Sequence, residues 1–267
     1  MSKVGQIEIK TQKRLIKLFQ DTLGYEYLGD WKEREDNRNI EASMLTQWLT
    51  DQGHDLPLVN KVLHKLGQAS AIGGATQLYD ANRAVYELLR YGVQVREDVA
   101  EKMQTVWLID WKHPENNHFA IAEEVTVQGD TNRKRPDIVV YVNGIALGII
   151  ELKRSTVTVS EGIRQNISNQ RKDFIERFFS TVQLLFAGND TEGLRHGVIG
   201  TPEQFYLQWK EESDIENPLD RAITQMCSKS RFLEILRFYC VRCRHQKDVQ
   251  NEPILRGQGC AGSCQKS

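Results

Sequence analysis

Residues 1–226 contain no cysteine; all five (Cys227, Cys240, Cys243, Cys260 and Cys264) fall in the last 41 positions. A body without thiols builds no disulfide framework and fits a cytoplasmic protein. No run reaches the roughly 18 apolar residues of a membrane-spanning helix, and no basic start leads into an apolar stretch. Neither a membrane span nor a secretory signal is therefore expected. Excess charge is missing too: 35 Lys and Arg stand against 36 Asp and Glu, a net charge of -1. Bulk electrostatics do not draw this chain to nucleic acid. Such contact falls instead to local clusters such as Arg133-Lys134-Arg135 and Arg171-Lys172. Also absent are G-x-x-x-x-G-K-[ST], H-E-x-x-H and G-x-S-x-G. ATPase, zinc-protease and serine-hydrolase readings thus lack their signatures.

What is present begins with helical periodicity. Leu15, Ile16, Phe19 and Leu23 recur at helical spacing up to Gly24, and Met44, Leu45, Trp48 and Leu49 do so up to Gly53. Pro57 opens a third segment with Leu58, Val62, Leu63 and Leu66, closed by Gly67. Asp80 is placed to cap a fourth, whose Val85, Leu88 and Leu89 run to Gly92. From residue 104 the period becomes two. Gln104–Asp110 and Phe119–Val127 read as strands joined by the polar turn around His113-Pro114-Glu115-Asn116-Asn117. Ser160 is placed to cap a helix carrying Ile163, Ile167, Phe174, Ile175 and Phe178, and 182–187 and 197–200 read as further strands. This order predicts an α/β protein with a mixed sheet flanked by helices and a helical N-terminal region.

The strongest local signal is Asn143-Gly144 between two β-rich runs, Asp137–Val142 and Ile145–Lys153, which predicts a hairpin. Alternation puts Glu151 and Lys153 on one strand face, with Ile150 and Leu152 on the other. An acid and an amine leaving so apolar a strand together are unusual. Asp137 starts the partner strand. A strict two-residue turn would pair Asp137 with Ile150, one step off the Glu151 face. Bringing Asp137, Glu151 and Lys153 together therefore requires a bulged turn or a twist at Asp137. Two carboxylates held close repel unless a hard cation sits between them, and Mg²⁺ suits oxygen ligands. The alternative is a surface ion pair at a strand end.

Pro136-Asp137, thirteen intervening residues and Glu151-Leu152-Lys153 resemble the PD-(D/E)xK motif of restriction-type nucleases. The stretches 135–153 and 185–197, with Leu23-Gly24-Tyr25 and Tyr27-Leu28-Gly29, resemble the N-terminal nuclease domain of type I restriction motor subunits. The similarity covers roughly residues 1–239. It implies a restriction-endonuclease-like core and an endonuclease module that cleaves double-stranded DNA with Mg²⁺. It also implies modification and specificity subunits as partners, with cleavage coupled to ATP only through the motor domain of the full-length subunit. Asp137 and Glu151 become the metal ligands, and Lys153 the catalytic amine. The family also carries a Gln-x-x-x-Tyr element on the following helix. Gln165, with Asn169 four residues on, and Gln170, with Phe174, are the two matches; Gln165 is preferred. Glu8 is a candidate for an added acid from the first helix.

Four segments follow: a helical part (1–103) packing on the core, the nuclease core (104–210), a helical linker toward a motor domain (211–239), and an irregular Cys-rich tail (240–267). Cys240-x-x-Cys243, sixteen residues and Cys260-x-x-x-Cys264 approach a structural zinc spacing. The near absence of apolar periodicity favours a disordered or out-of-frame tail instead. Two other functional readings remain open: a stand-alone repair or recombination nuclease of the same core, and a truncated, non-catalytic docking module.

Overall fold

The computed structural model describes residues 3–96 and 102–239, with side chains for 9–96 and 102–238. Along the chain run α1 (Lys3–Lys17), β1 (Glu26–Asp30), α2 (Ala42–Asp51), α3 (Leu56–Ser70) and α4 (Leu78–Tyr91). Then come β2 (Val93–Val95), β3 (Gln104–Val106), β4 (Phe119–Glu123), β5 (Val127–Gln128), β6 (Arg133–Lys134), β7 (Ile138–Val142) and β8 (Ile145–Leu152). The order ends with α5 (Val159–Asn169), β9 (Leu184–Asn189), β10 (Gly193–Gly197), α6 (Pro218–Cys227) and α7 (Lys229–Tyr239).

Six strands form a mixed sheet in the order β1-β4-β7-β8-β9-β10. The pairs β4–β7, β7–β8 and β9–β10 are antiparallel, whereas β1 runs parallel to β4 and β9 parallel to β8. Parallel β8 and β9 need a crossover, and α5 lies within it. The central strands β7 and β8 are buried at every position. Covering both faces of a strand leaves no polar side, which is why both read as nearly continuous apolar runs. Alternate residues feed two cores. Ile138, Val140, Ile150 and Leu152 share one with Leu15, Phe19, Leu219 and Phe232. Val139, Tyr141 and Ile149 share the other with Val159, Ile163 and Phe179. The segment read as a helical linker thus contains two helices, α6 and α7, that pack into the first core.

Several expected boundaries move, each for a local reason. Gly67 does not end α3, which continues to Ser70; one glycine costs a helix only about 1 kcal/mol, less than packing returns. Asp80 is not the cap of α4. It is the third helical residue, accepting from the Gln77 backbone N–H in a capping box. Gln104–Val106 does not pair with the strand from Phe119 but with Val93–Val95, in a small sheet of its own. The helix after the hairpin starts beyond Thr158 and ends at Asn169, so Phe174 and Phe178 lie outside it. The strand expected at 197–200 lies earlier, at β10. Parallel edge strand β1 has no counterpart in the sequence reading. The cysteines of the proposed zinc spacing lie outside the described residues. Among those described, no helix is long and apolar enough to cross a membrane.

One half-buried titratable group sits away from all this. His196 of β10 exchanges backbone hydrogen bonds with Leu207 (both 2.9 Å), and its ring meets Trp209 edge-on. Burial pushes its pKa down to about 4, although hydrogen bonding of the ring to the Leu207 main chain opposes this. Below its ordinary value of 6.5 the unfolded chain binds a proton that the folded chain resists. Stability is therefore lost as pH falls from 6.5 toward 4, by up to about 3 kcal/mol. His196→Phe keeps a ring against Trp209 and removes the titration. Urea midpoints measured between pH 4 and 7 should fall less steeply for the variant; parallel profiles would refute the assignment.

Candidate active site

The Asn143-Gly144 turn has two central residues, both with positive φ (52° and 81°). This is the backbone that two-residue hairpins require and that Asn-Gly supplies at little cost. Val142 faces Ile145 and Tyr141 faces Ala146, as a strict turn dictates. Beyond them the register shifts: Val140 faces Gly148, and Ile138 faces Ile150. Leu147 is the extra residue, so the bulge lies within β8 and not in the turn. Continued one step, the shifted register puts Asp137 directly opposite Glu151. The required slip of one residue is present, at a different place.

This juxtaposition lies at the end of the sheet away from the turn. Asp137 is half-buried, and its Oδ2 accepts from the backbone N–H of Leu152 at 2.6 Å. Glu151 is fully buried. One of its oxygens, Oε2, accepts from Gln165 Nε2 at 2.6 Å, while Oε1 is buried without a hydrogen-bond partner. Burial raises the Glu151 pKa well above the ordinary carboxylate value, and the charge of Asp137 raises it further; Lys153 opposes both. Lys153 is half-buried, with Nζ donating to the Leu152 carbonyl at 3.0 Å and its backbone N–H to Gly188 O at 2.9 Å.

Helix α5 covers the acids through its smallest residue. A Cβ on Gly162 would lie 3.1 Å from Ala187 Cβ and 3.5 Å from Lys153 Cγ. The contact with Ala187 is the tight one, so a larger residue here would press the helix away from β9. One turn further on, Gln165 reaches Glu151. Gln170 instead donates to Asn166 O and accepts from the Gly200 N–H. The structure thus brings Asp137, Glu151, Lys153 and Gln165 together and leaves Gln170 out. No aromatic follows Gln165 at the fourth position, where Asn169 is buried.

Two neighbours were missed from the sequence. Gln12 of α1 donates to Glu123 Oε2 (2.8 Å) and Glu124 Oε1 (3.2 Å). Glu124 Oε2 in turn meets Arg135 Nε at 2.5 Å. No short motif marks either residue; they meet only because α1 packs across the end of β4. The side chain of Glu8 lies outside the described ones.

The donor set fits a hard divalent cation. Its hallmarks are two adjacent carboxylates and a buried oxygen with no hydrogen-bond partner, which a protein interior normally avoids. Among the described residues, no group of three or more His, Cys, Asp or Glu side chains could hold an ion. Any such ion would thus have protein ligands from this pair and take its remaining ligands from solvent or substrate.

Residues 6–204 match the family described as "Type I restriction enzyme R protein N terminus". The "Type I restriction enzyme HindI endonuclease subunit" of Haemophilus influenzae is 31% identical over 135 residues, 48% of this chain and 12% of that protein. The "SsaAORF53P endonuclease subunit" of Staphylococcus saprophyticus is 28% identical over 196 residues, 72% and 20% of the two. A "Putative type I restriction enzyme MjaVIIP endonuclease subunit" of Methanocaldococcus jannaschii reaches 37% over 81 residues, 30% and 7%. The chain thus spans a fifth or less of the length of these relatives.

Proposed function

The chain belongs to the family of type I restriction enzyme R protein N termini, and from that premise we propose that it is the DNA-cleaving module of a restriction complex. It hydrolyses phosphodiester bonds of double-stranded DNA with Mg²⁺ held by Asp137 and Glu151. The observation that carries this reading is the shifted register, which sets Asp137 against Glu151 with one buried carboxylate oxygen left without a hydrogen-bond partner. When bound, the cation supplies Lewis-acid polarisation of a phosphodiester oxygen and lowers the pKa of a water. The chain's own groups do the rest. Gln165 fixes the rotamer of Glu151 by holding one of its oxygens. Lys153 brings a positive charge to the same strand face, where it orients the attacking water and offsets developing charge.

Contact with DNA is supported by the two basic clusters meeting in space. Lys134 Nζ lies 4.2 Å from the centre of the Phe174 ring, and the Arg171 guanidinium 5.6 Å from the same centre. Arg133, Lys134 and Arg135 lead directly into Asp137, so a phosphate held there is delivered toward the acids. Modification and specificity subunits, and an ATP-driven motor in the full-length subunit, complete the proposed assembly.

The test is nicking of circular DNA bearing a recognition site, by a complex rebuilt with the full-length subunit. ATP and both partner subunits are present. Cleavage should appear with Mg²⁺ and vanish on chelation while the specificity subunit still binds DNA. Cleavage that persists after chelation would defeat the proposal.

A further inference from the structure

Asp137 has a carboxylate neighbour on each side, one of which the sequence motif does not contain. On the β8 side it faces Glu151. On the β4 side the ladder runs from Phe119–Val142 to Glu123–Ile138, and the Glu124 N–H then donates to Asp137 O at 2.9 Å. At one end of three adjacent strands thus lie Glu124 just after β4, Asp137 just before β7 and Glu151 near the end of β8.

Glu124 is also held in an unusual way. Its φ is 53°, in the left-handed region where glutamate is disfavoured because Cβ crowds the following carbonyl. Among the described residues only two other non-glycine residues share this, Asp36 and Asn143, both of types that tolerate it. Strain of this kind persists where surrounding contacts over-determine it. Here Gln12 and Arg135 grip the two carboxylate oxygens. Glu151 Oε1, buried and without a hydrogen-bond partner, is the independent sign of a ligand at this end of the sheet.

We propose that Glu124 is a positioning residue for the divalent cation, accepting hydrogen bonds from its hydration shell and adding a third negative charge beside Asp137. This rests on the reading of Asp137 and Glu151 as the cation site. Direct ligation by Glu124 is not what the geometry offers, since no three acids converge on one point among the described residues. A water between carboxylate and cation spans the gap, as Mg²⁺ commonly keeps several of its waters. Gln12 and Arg135 orient Glu124 and prevent it from turning away.

The experiment is Mn²⁺ binding to the full chain, read from the electron paramagnetic resonance of the free ion. Glu124→Gln, which keeps the shape and removes the charge, should weaken binding about tenfold, the usual cost of losing a group that supports a metal ligand. Glu124→Asn suits the left-handed backbone. It should weaken Mn²⁺ to a similar degree while melting no lower than the parent, whereas a merely structural glutamate would show the reverse pattern. Asp137→Asn is the control. If it weakens Mn²⁺ and both Glu124 variants bind as the parent does, the role of Glu124 falls and the site stands. If Asp137→Asn also binds unchanged, the cation site itself falls.

Discussion

Glu151→Gln and Lys153→Ala are each expected to reduce nicking by the rebuilt complex by at least about a hundredfold, the scale of losing one group that acts on the reacting atoms. The two losses have different origins. Glu151→Gln leaves the strand and the Gln165 contact in place but removes one of the negative charges that attract the cation. Added Mg²⁺ or Mn²⁺ should therefore recover part of its activity. Lys153→Ala removes an ammonium while both acids remain, so its loss should not respond to metal concentration. DNA binding and ATP hydrolysis by the complex should continue in both variants, because in the proposed assembly other parts carry them. Each activity is measured in the same preparation. Undiminished nicking by Glu151→Gln would remove that residue from the mechanism; collapse of ATP hydrolysis as well would indicate failed assembly instead.

The same substitution should act on stability in the opposite direction. Glu151 is fully buried, and both burial and the charge of Asp137 hold its folded pKa well above the ordinary 4.5. Between those two values the folded chain binds more protons than the unfolded one. Stability is thus present at low pH and is lost as pH rises from about 4.5 toward the folded pKa. The introduced glutamine does not titrate, and its amide can donate toward Asp137 from the place of the unpartnered Oε1. At pH 8 without metal, Glu151→Gln should therefore melt higher than the parent. For a chain of this size each 1 kcal/mol gained corresponds to roughly 2–4 °C in Tm. The gap should narrow toward pH 5 and on adding Mg²⁺, which stabilises the parent by binding its folded state. A variant melting lower than the parent at pH 8 would mean that the ionised carboxylate contributes packing or hydrogen bonds that outweigh its desolvation.

These two expectations pull apart because the site favours a charge that the fold does not. Such local conflict is what makes a site visible in a sequence. Glu151 and Lys153 at the end of an apolar strand broke the pattern, and Asn143-Gly144 marked the hairpin that joins it to Asp137. Pattern, turn and strand type are local properties, set by side-chain alternation and by the few residues that tolerate positive φ. The α/β class and the hairpin followed from them; the assignment of Asp137 and Glu151 as the acids also drew on the resemblance to restriction-type nucleases. Other features depended on contacts distant in the chain. The extra residue could have been placed in the turn or in either strand on sequence grounds. It is Leu147, in a strand whose neighbours β7 and β9 are already fixed by two cores. The preference for Gln165 over Gln170 rested on a motif; its contact with Glu151 exists because Gly162 lets α5 lie close on β8 and β9. Glu124 left no mark in the sequence, because a residue at the end of β4 meets Asp137 only once β4 pairs with β7. Pairing between segments depends on which surfaces are buried together, and that is decided when the whole sheet closes over its two cores.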